Sequence, residues 1–269
     1  MEGIDTSKPN IARVYDYWLG GKDNFAADRR LAERLAATWP PWVDACRDNR
    51  KFVCRTVTWA AQRGIRQFLD LGAGLPTRPS VHETARDADE NARVAYVDND
   101  PIVVSHTQAL MARSNGVTAA RANLEDPDAV FAAEEVRDLI DPSEPVCVIF
   151  AMVLHFFDAA TARAIAGGYV ERLAPGSMVV ISCSRIDDDE ILEVVRRDYS
   201  PGPVPNHSRE AVLSFFQGLD VVPPGLVPTD AWRGGFPRVP AKPPGAAYVL
   251  GAVGIKPLAR PGRGCPVLR

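Results

Sequence analysis

The stretch FLDLGAGLPT, Phe68 to Thr77, decides the fold: an apolar run ends on an acid and passes directly into a glycine turn. A strand buried on both faces of a parallel sheet reads as a continuous apolar run, and a glycine turn at its C-terminal end lets the backbone approach a ligand in the crevice beyond it. Asp70, Gly72, Ala73 and Gly74 therefore mark the mouth of a nucleotide-type cradle. A second landmark follows in VAYVDNDP, Val94 to Pro101, where Asp98 lies 24 residues after Gly74. An acid about 20 residues beyond such a turn, at the tip of the next strand, can accept hydrogen bonds from both hydroxyls of a ribose. Turn and acid together predict a cofactor that contains adenosine.

What else the turn offers narrows the cofactor. A dinucleotide site wants G-x-G-x-x-G, but Gly72-Ala73-Gly74 is followed by Leu75, Pro76 and Thr77, so the third glycine is missing. No G-x-x-x-x-G-K-[ST] phosphate loop occurs in the chain either. An NAD-dependent oxidoreductase shares the turn and the acidic strand tip, and the missing glycine counts against it. S-adenosylmethionine, which has ribose and adenine but no phosphate, fits the pattern better.

Outward from this turn the chain alternates. Strands are expected near 66–71, 94–98, 117–121, 146–152 and 177–184, with helices at about 80–90, 101–114, 127–138 and 158–173. Asp100-Pro101 and Asp126-Pro127 each set a capping acid before a first-turn proline, and Asp158 can cap the fourth helix. Such alternation argues for βαβ units and a parallel sheet. Asp187-Asp188-Asp189-Glu190 opens a further helix whose end carries Arg196 and Arg197, the order the helix dipole favours, and capping is preferred there to metal binding. A proline-rich loop then leads to a helix at Ser208 to Gln217. Leu219–Val222 and Ala246–Ile255 read as two strands with no helical crossover between them, hence antiparallel. Before the first strand, Ile11–Leu19, Asn24–Ala37 and Pro41–Gln62 carry apolar residues at helical spacing. The expected organisation is a helical cap over 1–63, an α/β domain over 64–256 and a mobile tail over 257–269, together one structural unit.

Composition excludes more than it identifies. The 269 residues are 46% hydrophobic and 24% charged, which suits a large α/β domain with a well-buried core. A formal net charge of −3 leaves no basic footprint, so nucleic acid is disfavoured as a partner. Cys46, Cys54, Cys147, Cys183 and Cys265 show neither zinc nor disulfide-framework spacing. With no signal-like N-terminus and no membrane-length apolar run, a reduced cytoplasm is the expected location.

The order of elements, five parallel strands and then an antiparallel pair, resembles the class I S-adenosylmethionine-dependent methyltransferases over roughly Gly64 to Ile255. The resemblance implies a Rossmann-like, mostly parallel seven-stranded sheet with the last strand antiparallel. It also implies that Asp70, Gly72, Ala73 and Gly74 face the methionine part of the cofactor, with Ala151 at the end of the fourth strand. Asp98 and Asn99 would serve the ribose, and Asn123 and Leu124 the adenine edge. Asn123 stands where aspartate is commoner, and its amide carbonyl can still accept from the adenine amino group. A narrower likeness lies in PNIARVYDYWLGGKDNFAADR, Pro9 to Arg29, with FLDLGAGLPT, YVDNDPIVV and VLHFF. Together they resemble a family of predicted S-adenosyl methyltransferases long catalogued as a domain of unknown function.

The N-terminal string suggests a lid. Tyr15, Tyr17 and Trp18 offer aromatic faces to a sulfonium, and Arg13 or Lys22 offers a cation to a methionyl carboxylate. A stripe of core aromatics ending at Gly20-Gly21 is the alternative. In AMVLHFF, Ala151 to Phe157, His155 falls near the expected transfer site and is a candidate general base; its alternative is an ordering role in the turn. His82, His106 and His207 are expected on the solvated surface. Arg185, Tyr199, Asn206 and Trp232 are candidate lining residues around the loops at 199–209 and 225–243. No N-P-P-[YF] string marks methylation at a planar nitrogen. The leading expectation is a methyltransferase acting on a small or medium-sized acceptor, and the alternative is a non-catalytic protein that binds S-adenosylmethionine.

Overall fold

The computed structural model describes residues 5–111, 114–199, 201–233 and 248–258. Its strands are β1 Gln67–Leu71, β2 Arg93–Asp98, β3 Val117–Arg121, β4 Val146–Ala151, β5 Met178–Arg185, β6 Asp220–Val221, β7 Val227–Pro228 and β8 Tyr248–Ile255. They form one sheet in the order β3-β2-β1-β4-β5-β8-β6, with β7 also paired to β8. The strands β1 to β5 pair in parallel, and β8 runs antiparallel to β5, β6 and β7. This is the mostly parallel sheet with antiparallel final strands that the sequence predicts. The two-residue β7 is an addition, since a Val-Pro pair carries no periodic signal. Residues 246 and 247 of the expected last strand, and 259–269 of the expected tail, lie outside the described residues.

The helices are α1 Ile11–Trp18, α2 Ala26–Thr38, α3 Pro41–Ala61, α4 Val81–Arg86, α5 Pro101–Met111, α6 Pro127–Ala132, α7 Glu134–Arg137, α8 Ala159–Arg172, α9 Asp189–Asp198 and α10 Arg209–Ser214. The carboxylates of Asp126, Asp158 and Asp188 cap α6, α8 and α9 by accepting from first-turn backbone N–H groups. The single helix expected over 127–138 breaks at Ala133, whose ψ is 132°. Val130 and Val136 are both fully buried in one cluster. Six residues apart on an unbroken helix they would point about 120° apart, so the break turns both inward.

Side chains alternate across the sheet. Leu69, Val97, Val148 and Phe150 face a layer that holds Ile165 and Tyr169 of α8. Phe68, Val94, Ile149 and Val180 face Phe52, Val53 and Val57 of α3. At Gly251 of β8 an added Cβ would lie 2.8 Å from Phe52 Cζ, so the missing side chain lets α3 lie close on the strand. The last helix of the expected cap thus packs directly on the sheet. The roof over the strand ends is a third cluster, in which Val14 and Trp18 of α1, Leu31 and Leu35 of α2 and Leu192 and Val195 of α9 pack together. Burying each such side chain is worth roughly 1.5–3 kcal/mol, which holds the roof together as a packed layer.

Candidate active site

The chain order reverses between β1 and β4, and the turns leaving these two strands meet there. Gly72 and Gly74 have φ of +67° and +64°, and a Cβ on Gly72 would lie 2.6 Å from Val153 Cγ2. The Gly72 and Ala73 N–H groups donate to the Val97 carbonyl at 2.9 and 3.2 Å. Beyond β4, Met152 adopts φ +57° while its N–H donates to Ser182 Oγ at 3.1 Å. Strain of this kind is retained where surrounding bonds impose it, and it turns the following residues into the 3₁₀ turn that carries His155. The half-buried Asp98 accepts from Gly74 N at 3.0 Å and from Asp100 N at 2.9 Å. Burial raises its carboxyl above the ordinary range, and these backbone donors oppose the rise. Asn10 ties the roof to this tip: its Oδ1 caps α1 and its Nδ2 donates to Asp100 Oδ2 at 3.0 Å.

Below the roof lies a cavity of about 490 Å³, the size of an ordinary small-molecule site. One end is formed by Asp98, Asn99, Asp100, Asn123, Leu124 and Glu125; the other is walled by Trp18, Trp39, Trp42, His155, Phe156 and Tyr199. A smaller lobe of about 60 Å³ is lined by Asn49, Arg50, Asp70, Thr77, Ser80 and Tyr96 among others. Tyr15, Gly72, Ala73, Gly74 and Ala151 line both spaces.

The small lobe is charged and incompletely satisfied. Asp70 is 6% exposed. Burial pushes its carboxyl up to about 7, against the pull of Arg50 and with a further push from Asp98. Arg50 donates to the carbonyls of Thr77 and Pro79, but its Nε is buried with no partner among the described residues. Asn49 donates from Nδ2 to Tyr15 Oη at 3.0 Å, while its buried Oδ1 likewise has none. Both of these unpartnered atoms belong to residues that line the lobe.

A family model described as S-adenosyl methyltransferase matches residues 1–257. The chain belongs to this family. It is similar to a crystal structure of a candidate methyltransferase from Thermobifida fusca, with 36% identity over 95% of this chain and 98% of that one and a TM-score of 0.86. A DUF574 family protein from Streptomyces avermitilis is 33% identical over 95% of this chain and 100% of its own, also with a TM-score of 0.86. No curated protein matches the sequence. The cofactor of this S-adenosyl methyltransferase is therefore S-adenosylmethionine. The residues present fit it: Asp98 offers free lone pairs at a strand tip, nothing lies within 4 Å of where a Cβ would sit on Gly74, and the small lobe sets an acid, Asp70, and a base, Arg50, against one space.

Several expectations need correction. Arg13 does not face either space: its Nε pairs with Asp28 Oδ2 at 2.8 Å, and its guanidinium also donates to the Lys8 carbonyl at 2.9 Å. Asp28 is fully buried in the roof, and a buried carboxylate needs this partner more than a cofactor does. Lys22 is exposed and lines neither space. Tyr199 lines the aromatic end, but Arg185 pairs with Asp187, Asn206 clasps the backbone of Ile186, and Trp232 is fully buried against Phe52. Trp232 lies in the α3 layer instead. His207 is not a surface residue; it is buried against Phe215. His82 is half-buried, with Ser80 Oγ and Tyr96 Oη each 3.0 Å from its Nδ1. Asn123 Oδ1 accepts from Glu125 N at 3.1 Å, which leaves one lone pair for another donor. Asn49 and Arg50 were not among the sequence candidates, because on α3 they read as one more polar step of an amphipathic helix.

His155 is brought to the cavity wall as expected. It is 6% exposed, and its Nδ1 is buried without a partner among the described residues. Burial, with a smaller push from His207, lowers it to about 3, so the ring is neutral at physiological pH.

Proposed function

We propose that this S-adenosyl methyltransferase moves a methyl group to a small or medium-sized acceptor held at the aromatic end of the cavity. The observation that carries this reading is the placement, around two adjoining spaces, of a polar end at Asp98, a charged lobe at Asp70 and Arg50, and an aromatic end beside His155. When bound, the cofactor supplies a methyl group already activated on a sulfonium.

The chain's own residues then have distinct tasks. Asp98 accepts from the ribose diol, with Asn99 beside it, while Asn123 and Leu124 border the adenine. Arg50 holds the methionyl carboxylate, and Asp70 with Asn49 Oδ1 receives the ammonium. Tyr15 presents its ring near the sulfonium, where an aromatic face favours a cation. The packed roof excludes water, so that positioning contributes much of the rate. His155 receives the acceptor's proton. With its pKa at about 3 it is too weak to ionise a phenol, whose own value is near 10, ahead of transfer. It is competent to take the proton from an oxygen that is already forming its new bond, a far stronger acid.

Titration calorimetry with S-adenosylhomocysteine tests these assignments. The protein binds it, and Asp98→Asn and Arg50→Met each weaken binding by about ten- to a hundredfold, the worth of a charged hydrogen bond at roughly 1.5–3 kcal/mol. Full affinity in both variants would overturn the placement.

A further inference from the structure

The aromatic end of the cavity is chemically unlike the rest. The cavity's charged lining residues are Asp98, Asp100 and Glu125, all at the β2 and β3 tips; around the aromatic wall no Asp, Glu, Lys or Arg lines the space among the described residues. Trp39 and Trp42 are stacked with centroids 5.0 Å apart, and Trp18 meets Trp42 edge-on at 5.8 Å. From the opposite elements Phe156 and Tyr199 lie within 8° of parallel, and the His155 ring stands 4.1 Å from Phe156. Two polar atoms lie within the residues of this wall. Trp39 Nε1 and His155 Nδ1 are both buried, both belong to lining residues, and neither has a partner among the described residues.

We propose that the methyl acceptor is an uncharged, planar aromatic compound bearing a hydroxyl group, held by Trp39 and Trp42 and with its oxygens served by Trp39 Nε1 and His155. A charged acceptor would be buried with no opposite charge to meet it. Flat rings gain from the offset and edge-to-face contacts that the indoles offer, where a saturated ring of equal size gains only burial. The indole N–H donates to an oxygen and cannot serve a cation. An alkylamine is disfavoured on two counts: it enters as a cation, and its methylated product holds its proton near 10, beyond the reach of the buried imidazole. In the transfer the hydroxyl oxygen forms the bond to the methyl carbon, the sulfur–methyl bond breaks with its electron pair left on sulfur, and the hydroxyl proton passes to His155. The positive charge thus moves from sulfonium to imidazole, which later releases the proton to solvent.

This inference rests on the methyl-transfer reading, and the test separates the two. The protein is saturated with S-adenosylhomocysteine and titrated calorimetrically with 2-naphthol, naphthalene-2-sulfonate and 2-decalol. The expected result is saturable binding of 2-naphthol, with both other probes at least about tenfold weaker. Trp39→Phe, which keeps the ring and removes the N–H, weakens 2-naphthol about three- to tenfold and leaves S-adenosylhomocysteine affinity unchanged. With S-adenosylmethionine in place of the homocysteine, mass spectrometry detects 2-methoxynaphthalene. Equal binding of the sulfonate or the decalol, or no binding of 2-naphthol to protein that binds S-adenosylhomocysteine normally, overturns the inference while leaving the cofactor site standing. Failure of S-adenosylhomocysteine itself to bind overturns the methyl-transfer reading instead. Should Trp39→Phe not fold, the three probes on the unaltered protein still decide.

Discussion

With the cofactor's ammonium placed at Asp70 as proposed, cofactor binding becomes a titration. In the folded protein burial holds its carboxyl at about 7, against about 3.9 for a free aspartate. Between these values the native state keeps a proton that the unfolded chain has released, so this group's contribution to stability falls as pH rises from about 4 through 7. A displacement of roughly three units corresponds to at most about 4 kcal/mol. Ligand binding has the opposite sign. An ammonium group placed beside Asp70 requires the ionised carboxylate, so affinity for S-adenosylhomocysteine rises with pH and levels off above about 8. From pH 6.0 to 7.5 the ionised fraction grows about eightfold, and so does the expected association constant. Calorimetry across this range in matched ionic strength measures it directly, and Asp70→Asn removes the slope in both affinity and melting temperature. A flat profile in the unaltered protein refutes the reasoning. The same slope in Asp70→Asn assigns the titration to another group, of which Asp98 is the nearest raised carboxylate.

Two further outcomes are expected. Gly72→Ala puts a β-carbon 2.6 Å from Val153 Cγ2 at a φ of +67°, so it lowers the melting temperature by the equivalent of at least about 1–2 kcal/mol and weakens cofactor binding; Val153→Ala in the same chain restores part of both. A neutral Gly72→Ala would mean that the two turns do not meet as described. His155→Ala lowers the turnover rate by about a hundredfold or more without altering S-adenosylhomocysteine affinity, as expected for a group that acts on the acceptor's proton. Parallel losses in rate and affinity would make it a structural residue of the β4 turn.

Much of the architecture was already legible in short-range patterns. The apolar run ending in Asp70-Leu71-Gly72, the acid at Asp98, and the aspartates before α6, α8 and α9 each act within a few residues of themselves. Their structural consequences are therefore written locally: a strand, a turn that only glycine tolerates, a capped helix start. The mostly parallel sheet with antiparallel final strands, and a cofactor containing adenosine, are legible in these signals. The candidate site was legible only where it coincides with them, at the glycine turn, at Asp98 and at the β4 tip.

The rest depends on which distant segments meet. Arg13 and Arg50 look alike in sequence, yet Arg13 is consumed by the buried carboxylate of Asp28 whereas Arg50 lines the small lobe and keeps one nitrogen without a partner among the described residues. Likewise Trp39 and Trp42 form one wall with Trp18 only because α1, α2 and the start of α3 close over the strand ends. The low basicity of His155 and the raised carboxyl of Asp70 also arise from burial, which no residue carries by itself. The sequence alone determined the elements, their order and the kind of cofactor, because hydrophobic period, capping and glycine conformation are local properties. Only the tertiary structure decided which charges are paired, which polar atoms are left without protein partners among the described residues and which side chains line the cavity, because pairing and desolvation are set by neighbours far apart along the chain.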